Sequence, residues 1–520
     1  MRTNRVCSRI YVKSLSWLCL GLLSLSVGCT TPGVSRHSPT QSLLPFSESG
    51  DTIQPDRWWT EFDDSGLDYQ VELALGENFD LAAAMQRLRA ARALVRREAS
   101  DLFPDLDGVI STDTTFGPGP NQTRINWGLD ASYQVDLWGQ IQSRVDAERF
   151  RADATQSDYH AVALSLAAEV TRTWYSLVEA HAQLELLEVQ LETNLAGLKA
   201  QELRFGIGDE GGGPDVLRQR QLVQSTLEQV VVVRASVEVL EHQLAVLTGQ
   251  LPQAATYNPG SMLPELPPAP YTGTPSELLM RRPDVRAAYL DYVAADRDVA
   301  SAISARYPRL NVTGSLINSA TSSDNLFRDW FLSIGSQLIA PLFDGGQRVA
   351  EIDRTSAVAS QRYNEYGQTM LIAFQEVEDS LALEQYQIQR IKRLDAQVEL
   401  AEQAAEQLRQ RFIIGTASYL DFLSATQSQQ RLQREILSAR LDLVLIRVGL
   451  HLAIAGGFDT CPQPVDVDSS YDHALETDTT ELSDLAPTNQ AQTDEALSEP
   501  DLPDQPIQRL PPDPALDIDE

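Results

Sequence analysis

The chain has 520 residues, 42% of them hydrophobic, and a formal charge of -32. That length allows two or more domains, and an acidic chain without a basic stripe is excluded as a general nucleic-acid binder. The six histidines, at 37, 160, 181, 242, 451 and 473, have no metal-ligand spacing, and no Ser/His/Asp or Cys/His pairing stands out, so neither an enzyme nor a cofactor is expected.

Residues 1–28 read as an export signal. Arg2, Arg5, Arg9 and Lys13 form a basic start, and Leu18 to Val27 is an apolar run too short to favour a spanning helix. The run ends in Leu25-Ser26-Val27-Gly28-Cys29, which resembles a bacterial lipoprotein processing site, with Ser26 where such sites prefer leucine. That resemblance implies a covalent lipid on Cys29. Removal of the leader takes Cys7 and Cys19 with it and leaves Cys29 and Cys461, so there is no disulfide framework. Residues 29–56 are polar and Pro/Ser-rich and fit a lipid-anchored tether. No other segment reads as a transmembrane helix, so any spanning must be by β-strands.

From there the chain is written twice. Phe79-Asp80 followed by Phe103-Pro104 returns as Pro283-Asp284 followed by Tyr307-Pro308. Glu169-Val170 matches Glu376-Val377, and Arg204-Phe205 before Gly208 matches Arg411-Phe412 before Gly415. The repeats span 57–250 and 275–457, joined by a Pro-rich linker at 251–274. Each opens with a helix, over Leu81 to Ser100 and Asp284 to Ala305, stopped by Pro104 or Pro308. Two strands follow. In the first repeat they lie at Leu106 to Phe116 and along Trp127, Leu129, Ala131, Tyr133, Val135 and Leu137, which alternate with Gly128, Asp130, Ser132, Gln134 and Asp136. In the second they lie at Arg309 to Ile317 and Trp330 to Leu338 with the same period. Each is near the roughly 9–11 residues of a tilted membrane strand, with Trp127, Tyr133, Phe327 and Trp330 as interfacial aromatics.

Two long helices then close each repeat. Val170, Leu177, Leu184, Leu191 and Leu198 recur every seven residues. Val377, Glu384, Ile391, Val398 and Ala405 do so in the second copy, and Val223, Val230, Val237 and Leu244 in the first returning helix. Sustained heptads mean coiled coils, and a helix of about 60 residues is about 90 Å long. Residues 458–520 form an acidic disordered tail. From Cys461 to Glu520 the tail carries sixteen acidic residues against a single basic one, Arg509. Four membrane strands cannot close a barrel, and an open sheet in lipid leaves unsatisfied edges. The expected fold is therefore α+β: three copies would share a 12-stranded membrane barrel, four strands per protomer, continued by a long coiled-coil barrel with an internal two-fold repeat. Asp130 and Gln134 then line the lumen.

Six stretches carry a family resemblance. They are Trp58-Trp59 with Phe62; Ser132-Tyr133-Gln134-Val135-Asp136-Leu137-Trp138-Gly139; Arg281-Arg282-Pro283-Asp284-Val285; Pro341-Leu342-Phe343-Asp344-Gly345-Gly346; Glu376-Val377-Glu378-Asp379; and Gly415-Thr416-Ala417-Ser418-Tyr419-Leu420-Asp421. Together and in this order they resemble the TolC-like outer-membrane efflux factors, in the lipoprotein (NodT-type) branch. The resemblance implies a passive homotrimeric exit duct. It would sit in outer-membrane lipid, dock on a periplasmic adaptor and serve an inner-membrane RND-type transporter. It also implies that Gly208 and Gly415 mark the tips that meet the adaptor, and that Asp421 with Phe412 lies at the closed periplasmic aperture. Ala417 and Ser424 depart from the polar positions the family often has there. A helix N-terminal role for Asp421 and a packing role for Phe412 stay open, and Asp215 is the first-repeat counterpart of Asp421. The G-x-G-x-x-G within Gly206 to Gly213 follows a helix and contains Asp209 and Glu210, so it is not a phosphate loop. Two alternatives remain: the same duct in a type I protein secretion system, or a periplasmic coiled-coil scaffold lipoprotein without a pore.

Overall fold

The structure is a computed structural model that describes residues 44–116, 118, 122–206, 212–254, 256–321, 327–456 and 458. The signal segment, Cys29, Gly208 and the acidic tail lie outside the described residues. A short 3-10 turn at Trp58–Phe62 precedes α1 (Ser65–Glu77), α2 (Phe79–Ser100), β1 (Asp105–Thr115), β2 (Gln122–Val135), α3 (Gln140–Gly206) and α4 (Gly212–Leu247). The second half repeats the series with α5 (Pro275–Arg281), α6 (Pro283–Ser304), β3 (Arg309–Ala320), β4 (Trp330–Ile339), α7 (Gln347–Ile413) and α8 (Tyr419–Ile454). Among the described residues no helix is long and apolar enough to cross a membrane.

Local chemistry fixes the helix starts. Asp64 caps α1 by accepting from the amides of Gly66 at 2.9 Å and Leu67 at 3.1 Å. Asn78 caps α2 through the amides of Asp80 and Leu81, and its amide group also donates to the Leu247 carbonyl at 3.0 Å. Thr274 and Glu277 form a reciprocal capping box at α5. Pro283 occupies the first turn of α6, where its missing N–H costs nothing.

The four strands form one antiparallel sheet in the order β1-β2-β3-β4. The two hairpins join because β2 pairs with β3 over Ile125–Ala320 to Val135–Leu310. The second strand starts earlier than its alternation suggests and ends at Val135. Asp136 and Leu137 fall in the strand-to-helix turn instead, where the Asp136 carboxylate accepts from the Gln142 amide at 2.8 Å.

α3 and α7 have 67 residues each, about 100 Å of helix. Next to the sheet the lateral order of helices is α2, α3, α6, α7, which is the order of the strands they adjoin. Farther from the sheet α4 replaces α2 and α8 replaces α6, giving α4, α3, α8, α7. Each long helix is thus backed first by a 22-residue helix and then by a 36-residue one. A poreless scaffold built only of coiled coils would not carry this sheet.

The main core lies midway along the helices. Trp58, Trp59 and Phe62 are buried against α1 (Leu67, Val71, Ala74), α3 (Ala167, Val170, Trp174, Tyr175) and α8 (Val444, Val448). The Trp174 ring N–H donates to Asp64 Oδ2 at 2.8 Å, tying the cap of α1 to α3. The 251–274 linker wraps this level. Residues from Glu48 onward are held to it, through the Thr272 hydroxyl to the Glu48 carbonyl at 3.2 Å, Gly50 N–H to the Pro270 carbonyl at 3.1 Å and Tyr271 N–H to the Thr52 carbonyl at 2.7 Å.

Candidate functional site

The sheet register sorts its side chains into two faces. Leu106, Ile110, Leu129, Leu316, Leu332, Ile334 and Leu338 share one face, and Ile110 and Ile334 keep 81% and 76% of their surface exposed in the single chain. Asp130 and Gln134 share the other. Asp130 stands opposite Asp107 on β1 and Ser315 on β3, and Gln134 stands opposite Asn311, which faces Gln337 on β4. Near the hairpin tips Trp127 packs edge-on against Phe327 at 5.3 Å and Trp330 at 4.7 Å. At the helix end of the sheet Trp138 stacks on Tyr307 at 4.9 Å and donates to the Pro308 carbonyl at 2.8 Å. This second aromatic level was not read from the sequence, because Trp138 and Tyr307 lie in turns outside the alternating runs.

At the opposite end of the helices, Gly415 has φ +78°, a left-handed conformation that favours glycine. The amides of Thr416 and Gly415 return to the carbonyls of Arg411 (2.8 Å) and Phe412 (3.1 Å), the Schellman closure of α7. Ser418 then caps α8, accepting from the Asp421 amide at 3.1 Å, and its hydroxyl donates to the Asp421 carboxylate at 2.7 Å. Asp421 therefore sits exposed in the first turn, where the helix dipole also favours it. Phe412 stacks on Phe422 at 5.8 Å, and the Arg204 guanidinium of α3 lies over the Phe412 ring at 4.5 Å from its centroid. The ring thus bridges the ends of the two repeats. Asp215, in the first turn of α4, pairs with Arg218 at 2.8 Å.

The heptads lead to a feature that sequence reasoning missed. Val170 and Leu177 are buried as expected, but Leu184, Leu191 and Leu198 are only half-buried. The buried positions below Leu177 include Gln183, Gln190, Asn194 and Gln201. The first three form a polar seam between the repeats. Gln183 donates to the Arg434 carbonyl (2.9 Å) and Gln190 to the Gln430 carbonyl (3.3 Å). Asn194 donates to Thr226 Oγ1 (3.0 Å) and accepts from Gln430 (3.0 Å). The Tyr419 hydroxyl donates to Gln219, and burial with the nearby Asp215 pushes its pKa up to about 12, so it stays a donor. The only signal in the sequence was a second heptad-spaced series, Gln183, Gln190 and, four on, Asn194, one residue before the leucines.

The family-like motifs prove to be braces. Arg282 is 7% exposed, ion-paired to Asp284 at 2.6 Å and Glu376 at 2.8 Å, and donates to the Ala453 carbonyl. Burial opposes its charge, but its hydrogen bonds to the two carboxylates outweigh that and raise its pKa. Asp344 accepts from the Gly346 amide at 3.0 Å and holds Arg348, which donates to the Ala305 carbonyl, so the strand-to-helix turn is locked to α6. Glu384, a heptad position, is buried in a two-point pair with Arg447 (2.8 and 2.6 Å), which also donates to the Pro267 carbonyl. Among the described residues no group of His, Cys, Asp and Glu could hold a metal ion.

A four-stranded sheet with one apolar and one polar face, carried on two 67-residue helices, is the pattern of an outer-membrane export protein. The model of the outer membrane efflux protein family matches residues 71–250 and 274–456. The chain belongs to that family. As an outer membrane efflux protein it is an outer-membrane channel component of an export system, with helices that extend into the periplasm. It is 28% identical over 464 residues to the pyoverdine export outer membrane protein OpmQ of Pseudomonas putida, covering 85% of this chain and 97% of that one. It is 27% identical over 455 residues to the cation efflux system protein CusC of Escherichia coli, covering 83% and 96%. Among solved structures, the outer-membrane channel OprN superposes with a TM-score of 0.74 at 29% identity, covering 83% of this chain and 98% of that chain.

Proposed function

We propose that this protein is the passive exit duct of a tripartite efflux pump, working as a homotrimer. The observation that carries the proposal is the sheet. β1 and β4 are open edges, and the 10-residue β4, tilted by about 40°, rises about 25 Å, the height of an outer-membrane apolar band. Unpaired backbone groups in lipid cost several kcal/mol each, so β4 pairs with β1 of the next copy. Three copies give about twelve strands, enough to enclose a lumen. The exposed leucine and isoleucine face meets lipid, and Asp130 and Gln134 line water. The exposed flanks of α4 (Val231, Val239, Val246) and α7 (Leu371, Leu383, Leu400) are then covered by neighbouring copies.

The tips near Gly208 and Gly415 meet a periplasmic adaptor, which couples the duct to an RND-type inner-membrane transporter. Asp421 and Phe412 form the periplasmic aperture, and the polar seam lets the α7–α8 hairpin part from α3–α4 when it opens. Cys29 carries the lipid. No turnover chemistry is required of the chain. The test is the protein mass of the detergent-extracted particle by light scattering, followed by single-channel conductance. A trimer whose conductance rises in Asp421→Ala supports the reading, and a monomer or dimer after gentle extraction overturns it.

A further inference from the structure

The two repeats are in strict register. α6 begins 204 residues after α2 (Phe79 to Pro283), and α7 begins 207 residues after α3 (Gln140 to Gln347), so each position has a counterpart. α6 is packed on two sides. Val285 lies in the apolar cluster that it shares with Met370 and Val377 of α7. On the opposite side Asp298 accepts from Arg151 of α3, and at the helix end the Ser304 hydroxyl donates to the Trp138 carbonyl at 2.9 Å. Ala287 and Ala294, on the Asp298 face, keep only 5% and 1% of their surface.

α2 is packed on one side. Leu81, the counterpart of Val285, is buried in the core with α3. Ala83 and Ala90, the counterparts of Ala287 and Ala294, are exposed, and so is Arg87 between them. α7 is open on the side that corresponds to the α6-facing side of α3, where Gln361, Glu365 and Gln368 are exposed. These are the two outer helices next to the sheet, beside its edge strands β1 and β4.

Charge shows how the two open faces fit. Inside the chain Asp158 of α3 stands by Asp291 of α6. Partial desolvation and then this neighbour raise the Asp158 pKa, with Arg87 of α2 opposing. Transferred by the repeat, that acid–acid contact becomes Glu365 against Arg87 of another copy, a pair of opposite charge. Glu365 already holds Arg362 of its own helix at 2.9 Å, and one carboxylate can accept from both. The Arg151–Asp298 contact becomes Val358 against Leu94, both apolar and half-buried in the single chain. Ser100 stands where Ser304 stands, with Gly345 in the place of Trp138. Connectivity keeps α3 beside α6 even with like charges between them. Separate copies have to select each other, which opposite charges and apolar contact favour.

We propose that α7 of one copy packs on α2 of the next in the register of the α3–α6 junction, with Glu365 paired to Arg87, Val358 on Leu94 and the Ser100 hydroxyl on the Gly345 carbonyl. The inference rests on the homotrimer of the proposed function. The test uses the full chain with Cys461→Ser, extracted gently from outer membranes. Leu94→Cys with Val358→Cys, treated with a thiol crosslinker of about 10 Å reach, one helix spacing, should give a ladder of dimer and trimer on a denaturing gel. Leu94→Cys with Leu371→Cys, about 20 Å farther along α7, should give none, nor should either single cysteine. Within one chain α3 and α6 hold Leu94 and Val358 about 25 Å apart, so a ladder reports contact between copies. Independently, Arg87→Glu and Glu365→Arg should each lower the ratio of trimer to dissociated chain about fivefold under mild detergent challenge, and the double exchange should restore it. α2 and α7 are not neighbours in one chain, so that rescue acts only across a junction. A normal trimer mass with no ladder, or with no rescue, overturns the register and leaves the duct. A monomer or dimer from the unaltered chain overturns the duct, and the register with it.

Discussion

The two halves of α3 bury different chemistry. Toward the sheet it buries Ala163, Leu164, Ala167, Val170, Trp174 and Leu177 against the tryptophan core, and toward the tips, Leu187 apart, it buries mainly Gln183, Gln190, Asn194 and Gln201, the first three bonded to α8. Apolar burial gains about 25 cal/mol per Å² and is lost outright when the surfaces part. A hydrogen bond nets only about 1 kcal/mol, because water replaces it. The second hairpin has its own apolar cluster in Leu394, Leu432, Ile436 and Ala439. If the hairpins part as proposed, they part along a seam whose polar contacts water can substitute, with the small cluster of Leu222, Tyr419 and Leu423 at the tips as its apolar element.

The contrast predicts unequal responses to mutation. Trp58→Ala, in the tryptophan core, should cost about 3–5 kcal/mol and abolish recovery of assembled protein from membranes. Arg447→Met leaves Glu384 buried without its partner and should cost about 3 kcal/mol in urea unfolding, with Arg447→Met/Glu384→Leu recovering most of it. If the double variant is no better than the single, the linker contacts at Pro267 and Pro268 carry the effect instead.

His451 tests the body by pH. It is fully buried, stacked on Trp58 at 5.4 Å, and burial followed by the Arg447 charge lowers its pKa to about 3. The unfolded chain, with an ordinary imidazole, takes up the proton first. Its contribution is therefore complete above about pH 6.5 and is lost progressively as pH falls toward 3. The urea midpoint should drop between pH 7 and pH 5, and His451→Phe should flatten that drop.

In the seam, Asn194→Ala should cost about 1–3 kcal/mol by orphaning Gln430, whereas Asn194→Leu/Gln430→Leu should restore stability and lower channel open probability by replacing exchangeable contacts with apolar ones. Unchanged gating in a stable double variant would mean that the seam is not where the hairpins part. Asp421→Asn should have the smallest effect on stability, under about 1 kcal/mol, since only a first-turn contact is lost. Its consequence should be read in conductance.

Much of this was legible because it depends on short-range pattern. The alternation along Trp127 to Val135 defines two faces in any sheet, Asn78 and Pro283 start helices by local chemistry, and Gly415 ends α7 because a left-handed residue is needed there. Asp130 and Gln134 could be assigned to one face for the same reason. The buried seam could not be read in this way. Leu184, Leu191 and Leu198 and the pair Gln183 and Gln190 share a seven-residue spacing on α3, one position apart, and only the neighbours decide which of them faces inward. α8 approaches α3 on the glutamine side, so Gln190 and Asn194 are buried and Leu191 and Leu198 are left half-covered. The roles of Arg282 and Arg447 were hidden likewise, because their partners Glu376, Glu384 and Pro267 are distant in the chain. Sequence by itself determined the periods, the caps and the two-fold repeat, since these are properties of neighbouring residues. The tertiary structure alone decided which of two competing stripes is buried and which charges are paired, since burial and pairing depend on elements brought together from far along the chain.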